Sequence, residues 1–274
     1  MKYRDELEQK YNCLKNRIAS EGKAAVAFSG GVDSVFLLYA AWEALGDGVL
    51  ALTVSLHATP ERELHEAEAF CRKQGIRHRV ETIDEFTIEG FADNPPDRCY
   101  LCKRELFRRM QKAAREEGAG VLMEGSNLDD QGDYRPGLRA LSELGIRSPL
   151  KEAGFTKAEI REMSKKLGLA TFDKPSMACL ASRFAYGEKI TPGKMKMVEQ
   201  AEEYLAELGF VQRRVRMHGD LARIELLPDD ILRIMEEERY QKVQKRLAEL
   251  GFSYVTLDLK GFESGSMNKG LSRK

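Results

Sequence analysis

An apolar run at 24–28 passes straight into Ser29-Gly30-Gly31-Val32-Asp33-Ser34 and then into a helical stretch at 34–45. A buried strand that turns into a helix through paired glycines belongs on a parallel sheet, because the helix must carry the chain back before the next strand starts. The first two thirds of the chain keep this rhythm. Strands are expected at 49–56, 79–83 and 121–124, and helices at 60–74, 103–117, 139–144 and 156–167. The pattern predicts an α/β fold, a doubly wound and mostly parallel Rossmann-like sheet with helices on both faces. Ligands on such sheets sit at the carboxyl ends of the strands.

From about residue 190 the pattern changes. A helix at 195–208 leads to alternating strands at 211–217 and 221–227, then a helix at 230–250 and a strand at 254–259. Two domains are expected: 1–187 with the glycine loop, and 188–274, a smaller α-β-β-α-β unit for substrate or subunit contacts. The polar tail at 261–274 is expected to be mobile. Gly219-Asp220 reads as a two-residue hairpin turn. It would set His218 opposite Leu221, Arg216 opposite Arg223 and Arg214 opposite Glu225, with Val215 and Ile224 directed to the core. Like charges facing one another cost free energy, so Arg216 and Arg223 suggest an anion nearby; solvated charges on an open sheet face are the competing reading.

Composition removes several function classes. The 274 residues carry 44 Lys and Arg against 44 Asp and Glu, so no global positive field attracts nucleic acid. No apolar run reaches membrane-spanning length, and the start, MKYRDELEQKYN, is charged where a secretory leader is apolar. A cytoplasmic protein with no membrane partner and no stable nucleic-acid partner is expected.

The hexapeptide at 29–34 is an anion seat in form. Gly30 and Gly31 let the backbone approach a phosphate, and the helix behind them presents free N–H groups. Ser29 and Ser34 add hydroxyl donors, and Asp33 suits the Mg²⁺ that accompanies a triphosphate such as ATP. No Lys follows the second glycine, so this is not a Walker A loop, and the spacing is not that of a dinucleotide fingerprint. An ordinary glycine turn, with Asp33 or Ser34 capping the helix, is the plainer alternative. Gly125, Ser126, Asn127, Asp129 and Asp130 follow the end of a strand and can reach the same crevice, although an Asx turn also explains part of that segment.

Five cysteines in a chain of this length are not a disulfide framework. Cys71 and Cys13 lie on helical faces and read as core filler. Cys99 and Cys102 form a C-x-x-C at the mouth of a basic helix, where the helix dipole and Arg98, Lys103 and Arg104 favour thiolates. A redox pair, half of a zinc site and iron–sulfur ligation all remain open. Cys179 lies in an irregular segment; three thiolates suit a 4Fe–4S cluster with one iron left open. A buried thiol explains Cys179 equally well from composition.

The loop SGGVDS resembles the pyrophosphate-binding loop of the N-type ATP pyrophosphatases. With EGSNLDDQGDYRPGLRA and KPSMACLASRFAYG, the chain resembles the LarE family. These are ATP-dependent sulfur transferases that build the nickel-pincer nucleotide of lactate racemase. The resemblance implies adenylation of a carboxylate on a pyridinium mononucleotide, release of pyrophosphate, then displacement of AMP by sulfur. It makes Cys179 the sulfur-handling residue. In one form of the family that cysteine is sacrificed; in the other, three cysteines hold a cluster, and Cys99 and Cys102 beside Cys179 favour the cluster form. The resemblance further implies that Arg214 and Arg216 bind the substrate phosphate; Glu225, opposite Arg214, is expected to support Arg214 or hold a metal. A tRNA thiolase, an ATP-sensing module without chemistry and an amidotransferase-type synthetase are the competing functions. A homo-oligomer is expected, through apolar faces of the small domain.

Overall fold

The structure is a computed structural model and describes residues 2–132, 136–175, 178–263 and 265–267. Parts of both motif blocks, at 133–135 and 176–177, and of the tail, at 264 and 268–274, lie outside the described residues. The chain divides into two compact units, one of Met1–Asp84 with Cys99–Met177, the other of Glu85–Arg98 with Ala178–Lys274. No helix among the described residues is long and apolar enough to cross a membrane.

The first unit is built on four parallel strands, β1 (Ala24–Ala27), β2 (Val49–Ser55), β3 (Arg77–Thr82) and β4 (Val121–Met123), in the order β3-β2-β1-β4. Its helices are α1 (Lys2–Ala19), α2 (Val32–Leu45), α3 (Glu61–Gln74), α4 (Arg98–Glu116), α5 (Pro136–Glu143), α6 (Pro149–Glu152) and α7 (Lys157–Lys166). Strand side chains alternate between the two faces. Ala24, Val26, Val49 and Ala51 pack with Leu14, Phe36, Cys71 and Ile160, from α1, α2, α3 and α7. Ala25, Leu50, Leu52 and Leu122 pack with Phe107, Met110 and Leu141, from α4 and α5. Helices therefore cover both faces, as the strand-helix rhythm predicts. The chain leaves β1 toward β2 and β3, then returns to place β4 on the other side of β1. The loops after β1 and β4 thus part at the carboxyl edge of the sheet, which is where such a fold opens a crevice.

Two sequence expectations change in this unit. Helix α4 starts at Arg98 rather than at 103, so Cys99 and Cys102 lie on the helix and not before it. Cys13 is exposed, not core filler. The buried stripe of α1 is Leu7, Tyr11, Leu14 and Ile18, and position 13 points away from that face at helical spacing.

In the second unit, β5 (Arg213–His218) and β6 (Leu221–Leu226) form an antiparallel hairpin, and β7 (Tyr254–Leu257) adds parallel to β6. Helices α8 (Pro192–Glu207), α9 (Pro228–Ile234) and α10 (Glu237–Glu249) complete it. The hairpin has the register expected from its turn, including Arg214 opposite Glu225 and Arg216 opposite Arg223. The single helix expected at 230–250 is two, because Glu236 is extended at φ −58, ψ 135. In one continuous helix Ile234 would face about half a turn away from Val243. The break allows Ile234, Val243 and Leu247 all to be buried.

Candidate active site

In the first unit the glycine loop is held by its own hydroxyls. Ser34 Oγ donates to the Gly31 carbonyl (3.0 Å), accepts from the Ser29 N–H (3.3 Å) and lies 3.1 Å from Ser29 Oγ. Gly30 has φ +71, a conformation that an L side chain adopts only with strain. Gly31 caps α2 without a side-chain hydrogen bond, which leaves the first-turn N–H groups to a ligand.

The loop after β4 comes against this turn. A Cβ on Gly125 would lie 3.1 Å from the Ser34 nitrogen and 3.2 Å from the Asp33 carbonyl carbon, so a side chain here would crowd the turn. Asn127 Nδ2 reaches Asp33 Oδ1 at 3.4 Å. Asp130 accepts from the Asn127 N–H (2.9 Å), and Asn127 Oδ1 accepts from the Asp129 N–H (2.9 Å). These are the Asx turns that the segment predicts, and they present Asn127 to the glycine loop. Ser126 turns elsewhere and donates through N–H and Oγ to Glu124 (3.0 and 2.8 Å).

Two lysines join this site, Lys157 without any sequence signal and Lys174 as the first residue of the block KPSMACLASRFAYG. Lys157 Nζ pairs with Asp33 Oδ2, and its N–H donates to Asp129 Oδ2 (2.8 Å). A capping box between Thr156 and Glu159 fixes that start of α7. Lys174 Nζ donates to the Gly30 carbonyl (3.1 Å) and to Glu63 and Glu66 (both 2.8 Å). Burial pushes the Asp33 carboxyl above its ordinary range even though Lys157 works to lower it.

In the second unit a buried guanidinium braces the Cys179 segment. Arg183 is fully buried. Its Nη1 donates to the carbonyls of Ala178 (2.7 Å) and Cys179 (3.2 Å), while Nε and Nη2 bind both oxygens of Glu202 at 2.8 Å. The Cys179 carbonyl also accepts from the Ser182 N–H (2.9 Å). The segment is therefore pinned through its backbone while Cys179 itself is exposed. Against burial, Arg183 holds Glu202 below the usual carboxylate range.

Arg214 and Arg216 are buried, at 3% and 5% exposure, which rules out an open solvated sheet face. Arg216 binds Glu225 through Nε (3.0 Å) and Nη2 (2.8 Å), and donates to the Ser182 carbonyl (3.0 Å). Arg223 meets the other Glu225 oxygen at 3.2 Å and Asp258 at 2.8 Å, and Ser266 adds a hydrogen bond to Glu225. Glu225 thus supports Arg216 and Arg223, and it resolves the like-charge pairing. Arg214 Nη1 donates to the Arg213 carbonyl (2.6 Å), and its guanidinium lies 5.2 Å from the Phe262 ring centroid. Burial, then the neighbouring Arg183, push its pKa down to about 10.

Cys99 and Cys102 lie one turn apart on α4, a spacing that shares one helix face, and both are half-buried thiols. They belong to the first unit and Cys179 to the second. Arg98, which precedes Cys99, is buried and donates to Asn94 and to the Ala181 carbonyl (2.8 Å). Asn94 adopts φ +52 and donates to the Ala185 carbonyl (2.6 Å). The Asn-Pro-Pro-Asp segment before α4 thus serves to seat Arg98. Cys71 is buried, as its helical face predicts, and burial raises its thiol to about 12.

Comparison with known proteins shows what the chain is similar to. The PP-loop domain family matches residues 3–134. An uncharacterized protein of Synechocystis sp. is 41% identical over 268 residues, 97% of this chain and 100% of that protein. The pyridinium-3,5-bisthiocarboxylic acid mononucleotide synthase of Lactiplantibacillus plantarum is 38% identical over 252 residues, 92% of this chain and 91% of that protein. A tRNA-specific 2-thiouridylase of Chlorobium luteolum is 28% identical over 216 residues, covering 66% of this chain and 59% of its own length.

Proposed function

The chain belongs to the LarE family of PP-loop enzymes, and from that premise we propose that it adenylates a carboxylate of a pyridinium mononucleotide and converts it to a thiocarboxylate for a nickel-pincer cofactor. The observation that carries this reading is the similarity to the synthase along 92% of the chain, which spans the glycine loop, the Cys179 segment and the arginine hairpin. Relatives acting on tRNA match a smaller share.

The substrate carboxylate attacks the α-phosphorus of ATP, and pyrophosphate leaves into the seat formed by Ser29, Gly30, Gly31, Asp33 and Ser34. Gly125, Asn127 and Asp130 close that seat from the second loop, and Ser126 holds the turn through Glu124. The carboxylate oxygens of Asp33 suit Mg²⁺, which would offset charge on the phosphates. Carboxylate oxygen is a poor leaving group and AMP a good one, so adenylation opens the acyl carbon to sulfur. Arg214 and Arg216 take the phosphate of the mononucleotide; the charge-assisted and planar geometry of guanidinium suits that task.

For the sulfur step, the donor set fits a 4Fe–4S cluster: three thiols, none in a disulfide, two of them on one face of α4. Cys99, Cys102 and Cys179 would hold it, and the bound cluster would supply sulfide from its unliganded iron. The chain's own residues keep Cys179 at the surface by its pinned backbone and set the Arg183 guanidinium beside it. In the sacrificial version the Cys179 thiolate attacks the acyl-adenylate and AMP leaves. Loss of the cysteine α-proton then breaks the Cβ–S bond, leaving dehydroalanine and the thiocarboxylate.

The test is iron and acid-labile sulfide content of protein purified without oxygen. A cluster that disappears on replacement of Cys99, Cys102 or Cys179 supports the ligand set. Apo protein that resists reconstitution, with dehydroalanine at 179 after one turnover, returns the reaction to the sacrificial form. A homo-oligomer is part of the same proposal, since Leu232, Met235, Tyr254 and Leu259 of the second unit are exposed apolar side chains; light scattering tests it.

A further inference from the structure

Gly30 and Gly31 give the loop its turn and also its weak point. A peptide unit between two glycines is restrained by no side chain of its own and can turn over at small cost. The Gly30–Gly31 peptide is trans, so its carbonyl and its N–H point to opposite sides of one plane. Whichever way that plane lies decides whether an anion at the loop meets a donor or an acceptor.

The restraint comes from elsewhere in the first unit. Lys174 Nζ donates to the Gly30 carbonyl (3.1 Å) and to Glu63 and Glu66 of α3 (both 2.8 Å). An ammonium has three N–H donors, and these three acceptors take them all. The side chains of Lys174 and Glu63 are mostly buried, at 15% and 11% exposure. The lysine backbone is fixed as well, because Arg161 of α7 donates to the carbonyls of Phe172 (2.6 Å) and Lys174 (2.9 Å). Gly30 is backed by α3, where a Cβ would lie 3.5 Å from Ala67 Cβ and 3.6 Å from the Glu63 carbonyl oxygen. The Gly30 carbonyl is thus held toward α3 and the Gly31 N–H away from it.

We propose that Lys174 is a positioning residue for the phosphate seat: its ammonium holds the Gly30–Gly31 peptide in the orientation that offers the Gly31 N–H to the pyrophosphate portion of ATP, without touching the ligand. A hydrogen bond from a charged donor is the strong kind, and a neutral carbonyl between two glycines needs one. Two carboxylates beside one ammonium leave the clamp net negative, so it does not turn toward a phosphate.

The inference rests on the reading of the loop as a pyrophosphate seat. Gly30-Gly31 is the only Gly-Gly pair in the sequence. Full chain grown on glycine labelled with 13C at the carbonyl and with 15N, with unlabelled serine supplied, therefore gives one coupled carbonyl–amide signal in NMR, from this peptide. In Lys174→Met that signal is expected to shift or split as the peptide turns over. By calorimetry with Mg²⁺ present, pyrophosphate and ATP are expected to bind roughly tenfold more weakly, the scale of a lost charge-assisted contact, while AMP binding is unchanged. Glu66→Gln, which loosens the clamp but leaves the lysine on the carbonyl, is expected to lower thermal stability and keep both the signal and the pyrophosphate affinity. A signal that stays in place in Lys174→Met, or one that moves with no loss of pyrophosphate affinity, would overturn the proposal. Equal losses for pyrophosphate and AMP would do the same, reducing Lys174 to a general brace, as would loss of pyrophosphate affinity in Glu66→Gln with the signal unmoved. Should Lys174→Met fail to fold because Glu63 is stranded, Lys174→Met combined with Glu63→Gln gives the same comparison. A wild type that binds neither ATP nor pyrophosphate would instead sink the loop reading on which this one stands.

Discussion

The glycine loop and the arginine hairpin, the two proposed anion seats, are built by opposite means. At the loop the donors are backbone N–H groups and small hydroxyls on a rigid sheet edge, and each lysine is paired with acceptors nearby. At the hairpin the charge is carried by buried guanidinium groups, Arg183, Arg214 and Arg216, balanced by the buried carboxylates of Glu202 and Glu225. A seat of backbone dipoles depends on shape and tolerates the loss of any one side chain. A seat of buried ion pairs does not, because removing one partner strands the other. On the proposed function the general ligand, ATP, would meet the first kind of seat and the particular one, the mononucleotide, the second.

The largest expected effect separates the two half-reactions. Cys179→Ala should reduce thiocarboxylate formation by at least about 10³-fold, the scale of losing a chemical group outright, yet leave substrate-dependent pyrophosphate release near the wild-type rate. Loss of both would mean that Cys179 also builds the first site. Next comes stability. Arg183→Met should cost about 3–5 kcal/mol in urea denaturation, since it leaves Glu202 charged and buried, whereas Ser34→Ala in the loop should cost about 1 kcal/mol. Equal costs would erase the contrast between the two seats.

The loop was legible in the sequence because its chemistry is local: strand, glycines, hydroxyls and helix follow one another within 24–45. The hairpin register was legible for the same reason, from a two-residue turn and alternating Val215 and Ile224. What stayed hidden is long-range. Lys157 meets Asp33 across 124 residues and Lys174 meets Glu63 across 111, and no periodicity encodes such pairs. The break at Glu236 was hidden too, since no Pro or Gly marks it; burial of Ile234 together with Val243 decides it. Cys13 is exposed because the buried stripe of its helix, Leu7 to Ile18, excludes it. The partners Arg216 and Arg223 of Glu225 are likewise not dictated by the pairing opposite Arg214, because register does not fix where a long side chain reaches.

A glycine sharpens the comparison at the loop. Gly125→Ala would bring a methyl group to 3.1 Å from the Ser34 nitrogen, so the loop would have to give by a few tenths of an ångström. Overpacking of this kind costs about 1–3 kcal/mol. We expect ATP affinity to fall by roughly tenfold, with the affinity for the pyridinium mononucleotide unchanged. A fall in both would show that the seats communicate.

The smallest effect tests the core beneath the loop. Cys71 packs on the same helical layer that carries Phe36 and Ile160, and burial raises its thiol from 9.0 to about 12. A group whose folded pKa is raised stabilises the fold fully below its unfolded value, and that contribution is lost as pH climbs through the folded one. Stability should therefore decline from about pH 9 upward with a slope of at most about 1.4 kcal/mol per pH unit from this thiol. Cys71→Ala should lower stability at pH 7 through the lost packing, and should remove that part of the alkaline slope. An unchanged slope in the variant would mean that the thiol titrates alike in the folded and unfolded chain, and that the layer under the glycine loop is open to water.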